Sequence, residues 1–168
     1  MKKTVLAFGL ISGAVSAAMM LLTLPFADRI GFDRGEIIGY ASMVASGLLI
    51  FFGVRSYREQ VGGALSFGRA FTVGLLIALV SCVCYVATWE LIYFRLSPDF
   101  VDKYAAYEVA RAKASGASAE AIDAKTREMR EFKVMYDKPL MNIAITFMEP
   151  LPVALAITLV SAAVLRKK

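Results

Sequence analysis

Four long apolar runs separated by short charged stretches set the hydropathy pattern of this chain. The first extends from Thr4 to Ala27, behind Lys2 and Lys3. At about 1.5 Å per helical residue it is long enough to cross a hydrocarbon core about 30 Å thick. A secretory signal peptide is the rival reading, with Val15-Ser16-Ala17 as a cleavage site. The run continues through Met19, Met20, Leu21, Leu22 and Leu24, however, and that length favours a retained span. A polar link with Asp28, Arg29, Asp33, Arg34 and Glu36 leads into a second expected span over 36–54, which Arg55, Tyr57 and Arg58 close. Gly62-Gly63 predicts a turn and Ser66 a helix cap. A third span over 70–94 carries Trp89 and Tyr93 near its far end, the residue types that anchor helices at a membrane interface. The fourth, 140–165, is interrupted by Glu149-Pro150-Leu151-Pro152 and closes on Arg166-Lys167-Lys168. Its prolines remove backbone donors and predict a kink.

Residues 95–140 differ in character. They hold nine basic and eight acidic side chains and no long apolar run. Ser97-Pro98-Asp99 predicts a helix start, and Phe100, Tyr104 and Tyr107 then share one face. Ser115-Gly116 breaks the pattern, and Ser118 can cap a second helix on which Ile122, Met129, Phe132 and Tyr136 align. The expected architecture is therefore all-α: a four-transmembrane-helix bundle forming one membrane domain over 1–168. An extramembrane αα-hairpin over 97–138 stands between the third and fourth spans.

Composition agrees with this reading and excludes others. The hydrophobic fraction is 58%, above the 45–50% typical of soluble domains, and mean hydropathy is +0.62. The net charge of +5 sits at the ends of apolar runs, which suits topology and lipid headgroups rather than nucleic acid. An even number of spans puts both termini on one side. Placing them in the cytoplasm puts Lys2, Lys3, Arg55, Arg58, Arg69, Arg166, Lys167 and Lys168 inside, as the positive-inside rule asks. The cations of the 97–138 segment run against that rule, and the leading Lys2-Lys3 pair is taken to dominate.

Histidine is absent, and Cys82 and Cys84 lie two apart in an apolar run with no metal-ligand spacing. No metal, cofactor or catalytic residue is expected. Small residues recur at four-residue spacing: Gly9 and Gly13 in the first span, Gly74 and Ala78 in the third. They mark faces for close helix packing or self-association.

The chemically pointed feature is a set of glutamates at membrane depth. Glu36 lies 19 residues from Arg55, Glu90 lies 21 from Arg69 and Glu149 lies 17 from Arg166, or about 28, 31 and 25 Å of helix. All three therefore fall near one level, toward the outer face. There they either form a proton- or cation-responsive site or tie helix ends together. The partners offered for tying are Arg29, Arg34, Arg95, Tyr85, Tyr93 and Asn142.

In combination, several segments resemble the bacterial family catalogued as domain-of-unknown-function 4199. They are the Met-Lys-Lys start, Gly35-Glu36-Ile37-Ile38-Gly39-Tyr40 and Phe51-Phe52-Gly53-Val54-Arg55-Ser56-Tyr57-Arg58, followed by Ser66-Phe67-Gly68-Arg69-Ala70, Trp89-Glu90, Glu149-Pro150-Leu151-Pro152 and the Arg-Lys-Lys end. The resemblance implies a small multi-span protein of a bacterial inner membrane and carries no activity with it. The expected role is non-enzymatic: an accessory subunit or envelope scaffold in the lipid bilayer, with a homo-oligomer or a membrane-protein partner. The competing expectation is an oligomeric transporter or ion-conducting protein that uses the glutamates.

Overall fold

Backbone that enters hydrocarbon must satisfy its own hydrogen bonds, and the apolar runs do so as helices. The computed structural model describes residues 1–167 and holds no strand among them; Lys168, one of the cations expected at the basic end, lies outside the described residues. The helices are α1 (Lys2–Thr23), α2 (Ala27–Gln60), α3 (Phe67–Leu91), α4 (Phe100–Ala114), α5 (Ala119–Tyr136), α6 (Pro139–Met148) and α7 (Pro150–Leu165). A short 3-10 turn, Leu24–Phe26, joins α1 to α2, and a π-helical turn, Ile92–Leu96, extends α3.

Three continuous helical segments are long and apolar enough to cross a membrane, where four were expected: Lys2–Gln60, Phe67–Leu96 and Pro139–Leu165. The difference lies in the first. The expected polar link at 28–36 is helical on both sides of a single break, so the first two apolar runs share one helical segment. That break is Gly31, with φ 73° and ψ 165°, a conformation essentially reserved for glycine. The segment folds back there. Ser12 Oγ donates to the Ser46 carbonyl at 2.9 Å, and Thr4 Oγ1 donates to Gln60 Oε1 at 3.1 Å. Each pair brackets Gly31 almost symmetrically, which is the signature of an antiparallel helix pair.

The chain forms two compact units. Among the described residues the first comprises 1–88 and 146–167, so α1, α2, most of α3 and α7 belong to it. Contacts fix the directions within it. Gly9 faces Val80 and Gly13 faces Cys84, so α1 and α3 run parallel. Gly53 meets Ile77 and Gly74 meets Val54, so α2 and α3 are antiparallel. Gly74 also meets Thr158, and the Lys167 amide donates to the Leu65 carbonyl at 2.9 Å, so α7 returns alongside α2. Both ends of the described chain are therefore brought to one end of this unit. The core is built on Ile50, Val54, Val73, Ile77, Ala78 and Ala162, all at most 1% exposed.

The second unit comprises 89–145. In it α4 and α5 pack antiparallel, with Lys133 paired to Asp102 and Lys125 near Glu108. Ser118 caps α5 by accepting the Ala121 amide. The start of α4 differs from expectation. Pro98 stands outside the helix, Asp99 precedes its first residue, and the Ser97 hydroxyl turns to the Asp99 carboxylate. The carboxyl of Asp99 is held below its usual range by hydrogen bonding to Lys103.

The glycine contacts lead to a stability prediction. A Cβ on Gly13 would fall 2.4 Å from the Cys84 Cβ, an atom fixed to its backbone, whereas a Cβ on Gly35 meets nothing within 4 Å. Gly13→Ala is expected to destabilise the folded protein in detergent by about 1–3 kcal/mol. Gly35→Ala, in open helix, should leave stability unchanged or raise it slightly. Heating with a thiol-reactive dye that reports exposure of the buried Cys82 measures both.

Candidate functional site

Polar groups in the first unit gather around the middle of the α1–α2–α3–α7 packing. Ser12 and Ser46 are at most 4% exposed, and Ser16 is buried beside them. Besides donating to the Ser46 carbonyl, the Ser12 hydroxyl shares a 2.8 Å hydrogen bond with the Ser81 hydroxyl, so three helices are stitched through one side chain. These residues line a cavity of about 20 Å³, together with Cys82, Tyr85, Pro150 and Ala154. A space of that size holds about one water molecule.

Tyr85 connects this cavity to the junction of α6 and α7. Its hydroxyl donates to Glu149 Oε2 at 3.0 Å. Glu149 stands between α6 and α7, where Pro150 offers no amide to continue the hydrogen-bond ladder. Glu149 is an exposed residue, and a carboxylate in hydrocarbon is costly unless a donor or a proton compensates it. Tyr85 supplies the donor.

Glu90, in the second unit, differs. Its side chain is half-buried, and Oε1 has no hydrogen-bond partner among the described residues. Leaving such an atom unsatisfied costs about 1–3 kcal/mol. Two of the groups expected to serve the glutamates are engaged elsewhere. Tyr93 donates to Asp137 Oδ1 at 2.5 Å, and Asn142, fully buried, donates its amide to the Tyr136 carbonyl at 3.2 Å. Arg34 and Arg95 are exposed, as is Glu36 at the start of the long α2 segment. Among the described residues, Glu149 is the one of the three glutamates with a side-chain hydrogen-bond partner.

Trp89 and Tyr93, expected as interfacial anchors, are packed inward instead. Tyr93 is 2% exposed. Trp89 stacks near Tyr93, meets Phe100 edge-on at 4.9 Å between ring centres, and donates its indole N–H to the Tyr136 hydroxyl at 2.8 Å. Tyr136 in turn packs against Phe132 and Tyr93. The aromatic stripe of α5 is thereby closed against the end of α3. Sequence reasoning missed this convergence, and it missed Ser46, Ser81 and the cavity. The available signal was a serine in the middle of each of three otherwise apolar runs.

The small residues named from sequence behave as close contacts. Cβ atoms added at Gly9 and Gly74 would approach neighbouring atoms to 2.6 and 2.9 Å, and Ala78 is fully buried.

Two substitutions separate the roles of Tyr85 and Glu149. Tyr85→Phe removes the donor and should lower stability by about 1 kcal/mol. Glu149→Gln keeps an acceptor for the hydroxyl and discards the charge, so it should be neutral or stabilising. In the second unit, Tyr136→Phe should cost a similar ~1 kcal/mol by removing the acceptor of the indole N–H. Trp89 is the single tryptophan, so its fluorescence during thermal unfolding reads that loss directly.

A family model described as "Protein of unknown function (DUF4199)" matches residues 7–167. No curated protein matches, and no solved structure does.

Proposed function

The chain belongs to the DUF4199 family of proteins of unknown function, and from that premise we propose that it is a non-enzymatic, four-pass protein of the bacterial inner membrane that serves as an accessory or scaffold subunit. The observation that carries this reading is the division of surfaces. The first unit exposes large apolar side chains along its helices, such as Leu6, Leu10, Leu22, Ile37, Leu48, Val83 and Val164, as lipid-facing helices do. The α4–α5 pair has its own aromatic core and a charged exterior.

Support for four crossings comes from the reversal at Gly31. It turns the long first segment into two antiparallel helices, each long enough to span. With α3 and the α6–α7 segment that makes four passes and puts both termini on one side. The same end of the first unit gathers Lys2, Lys3, Arg55, Arg58, Arg69, Arg166 and Lys167, which favours a cytoplasmic location for it. Residues 97–138 then stand on the extracytoplasmic side and form the surface a membrane-protein partner or a second copy would engage. Inside the pair, Asp102 holds the Lys133 ammonium above its ordinary pKa, so this contact stabilises fully below that value and fades as pH rises through the raised one.

Tyr85 and Glu149, set beside the serine-lined cavity, favour a second reading. An oligomer of this chain would conduct protons or cations past Glu149, and flux into liposomes would fall in Glu149→Gln. Flux that is absent, or unchanged by that substitution, rejects it.

The leading reading is tested on a Cys82→Ser/Cys84→Ser background with one new cysteine at Ala117, between α4 and α5, or at Lys3. A membrane-impermeant thiol reagent on intact cells should label the Ala117→Cys protein and spare Lys3→Cys. Charge reversal on the exposed face of α5, at Arg127 and Arg130, should then release co-purifying proteins or dissociate an oligomer while the melting curve stays in place. Labelling of the opposite pair, or a complement of partners unchanged by the reversal, overturns the assignment.

A further inference from the structure

The basic end of the first unit contains a built cleft. Phe51, Arg55, Arg58 and Glu59 follow one another on a single face of α2, and with Gly63 and Leu165 they line an open cleft of about 340 Å³. The two guanidinium groups are positioned by contacts that use only one nitrogen each. Arg55 Nε meets Glu59 Oε1 at 3.2 Å, and Arg58 Nε donates to the Gly63 carbonyl at 3.0 Å. The four remaining Nη atoms have no hydrogen-bond or ion-pair partner among the described residues. Backbone hydrogen bonds hold the loop that shapes the cleft. Gly62 and Gly63 take positive φ, and the amides of Val61, Gly62 and Gly63 occupy the last carbonyls of α2. The Lys167 amide fastens the end of α7 to Leu65.

Two guanidinium forks beside an apolar wall make a specific demand on a ligand. The forks match the paired oxygens of a phosphate, and a bare phosphate would leave Phe51 and Leu165 uncovered. The same end of the unit carries Lys2, Lys3, Arg69, Arg166 and Lys167, and Glu59 is the one acid among the residues that line the cleft. A choline or ethanolamine headgroup would bring its own cation into that field; an anionic headgroup would not. We propose that this cleft is a binding site for an anionic phospholipid, the phosphate held by Arg55 and Arg58 and the first acyl methylenes laid against Phe51 and Leu165. The site deepens the membrane-protein reading above. It depends on that reading only for its location at the headgroup level, not on the number of crossings or on any partner.

The test is native mass spectrometry of the delipidated full-length protein, incubated in detergent with equal amounts of phosphatidylglycerol and phosphatidylcholine. The expected result is preferential retention of phosphatidylglycerol. It should fall at least about tenfold in Arg55→Gln/Arg58→Gln and stay within about twofold in Lys2→Gln/Lys3→Gln, which removes equal charge from outside the cleft. Because Arg58 also holds the Gly63 carbonyl, Arg55→Gln alone provides the readout if the double variant melts early; that guanidinium supports no backbone atom. Equal retention of the two lipids, or phosphatidylglycerol binding unaffected by Arg55→Gln, overturns the proposal. So does displacement of the lipid by millimolar inorganic phosphate with a phosphate adduct in its place, which would make the site one for the free anion. Failure of the thiol-labelling topology above with lipid binding intact would reject the four-pass arrangement and leave this site standing.

Discussion

Close backbone approach is the constraint on which the first unit rests. Helices in a bilayer gain little from hydrophobic burial against one another, because lipid is already apolar; dispersion contact and shared hydrogen bonds must hold them. Gly9 and Gly13 bring α1 against α3, Gly53 and Gly47 bring α2 against α3 and α7, and Gly74 receives α7. At Gly9 and Gly13 a Cβ would come within 3 Å of a neighbouring Cβ, an atom fixed to its backbone, so there the missing side chain sets the helix separation; at Gly47 and Gly53 it would meet the movable tip of an isoleucine. The serine bonds act at the same level of the structure. Ser12 reaches Ser46 and Ser81 only because its helix lies close enough to both.

Those short distances leave a small polar space, which gives the carboxylate chemistry its setting. Glu149 at the break between α6 and α7 is answered by Tyr85 from α3, and Tyr85 also lines the serine cavity. Glu149, its donor Tyr85 and a water-sized space thus adjoin one another. At the opposite end of the same helices, Arg55 and Arg58 are held by single bonds and present their remaining nitrogens to an open cleft. The first unit therefore carries its polar groups in two separate places with different chemistry: neutral hydroxyls with one acid inside, and guanidiniums at the basic end.

The second unit is stabilised by other means. Most ion pairs of its charged exterior are exposed and worth at most about 1 kcal/mol each, with Glu108 the more shielded partner of Lys125. The aromatic cluster of Trp89, Tyr93, Phe100, Phe132 and Tyr136 supplies the burial that makes it compact. Polar atoms of that cluster are matched pairwise: the indole N–H to Tyr136, and the Tyr93 hydroxyl to Asp137. Glu90, two residues before the π-helical turn, is the exception, its Oε1 without a partner among the described residues.

The sequence by itself determined the helical class, the apolar runs, the break at Glu149-Pro150, the cap at Ser118 and the basic clustering near the chain ends. These follow from local composition and from spacing along one helix, quantities contained in a few consecutive residues. It also marked Gly9, Gly13, Gly74 and Ala78 as packing positions, since small side chains at four-residue spacing share a face. Tertiary structure alone decided the partners. It decided that Gly31 reverses the first segment into a pair while helical structure continues on either side, that Trp89 and Tyr93 turn inward to Tyr136 and Asp137, and that Ser12 meets residues 34 and 69 positions away. Depth along a helix can be counted from the chain. The direction a side chain faces, and what stands opposite it, depends on how separate helices are rotated and brought together, and no local stretch of sequence carries that information.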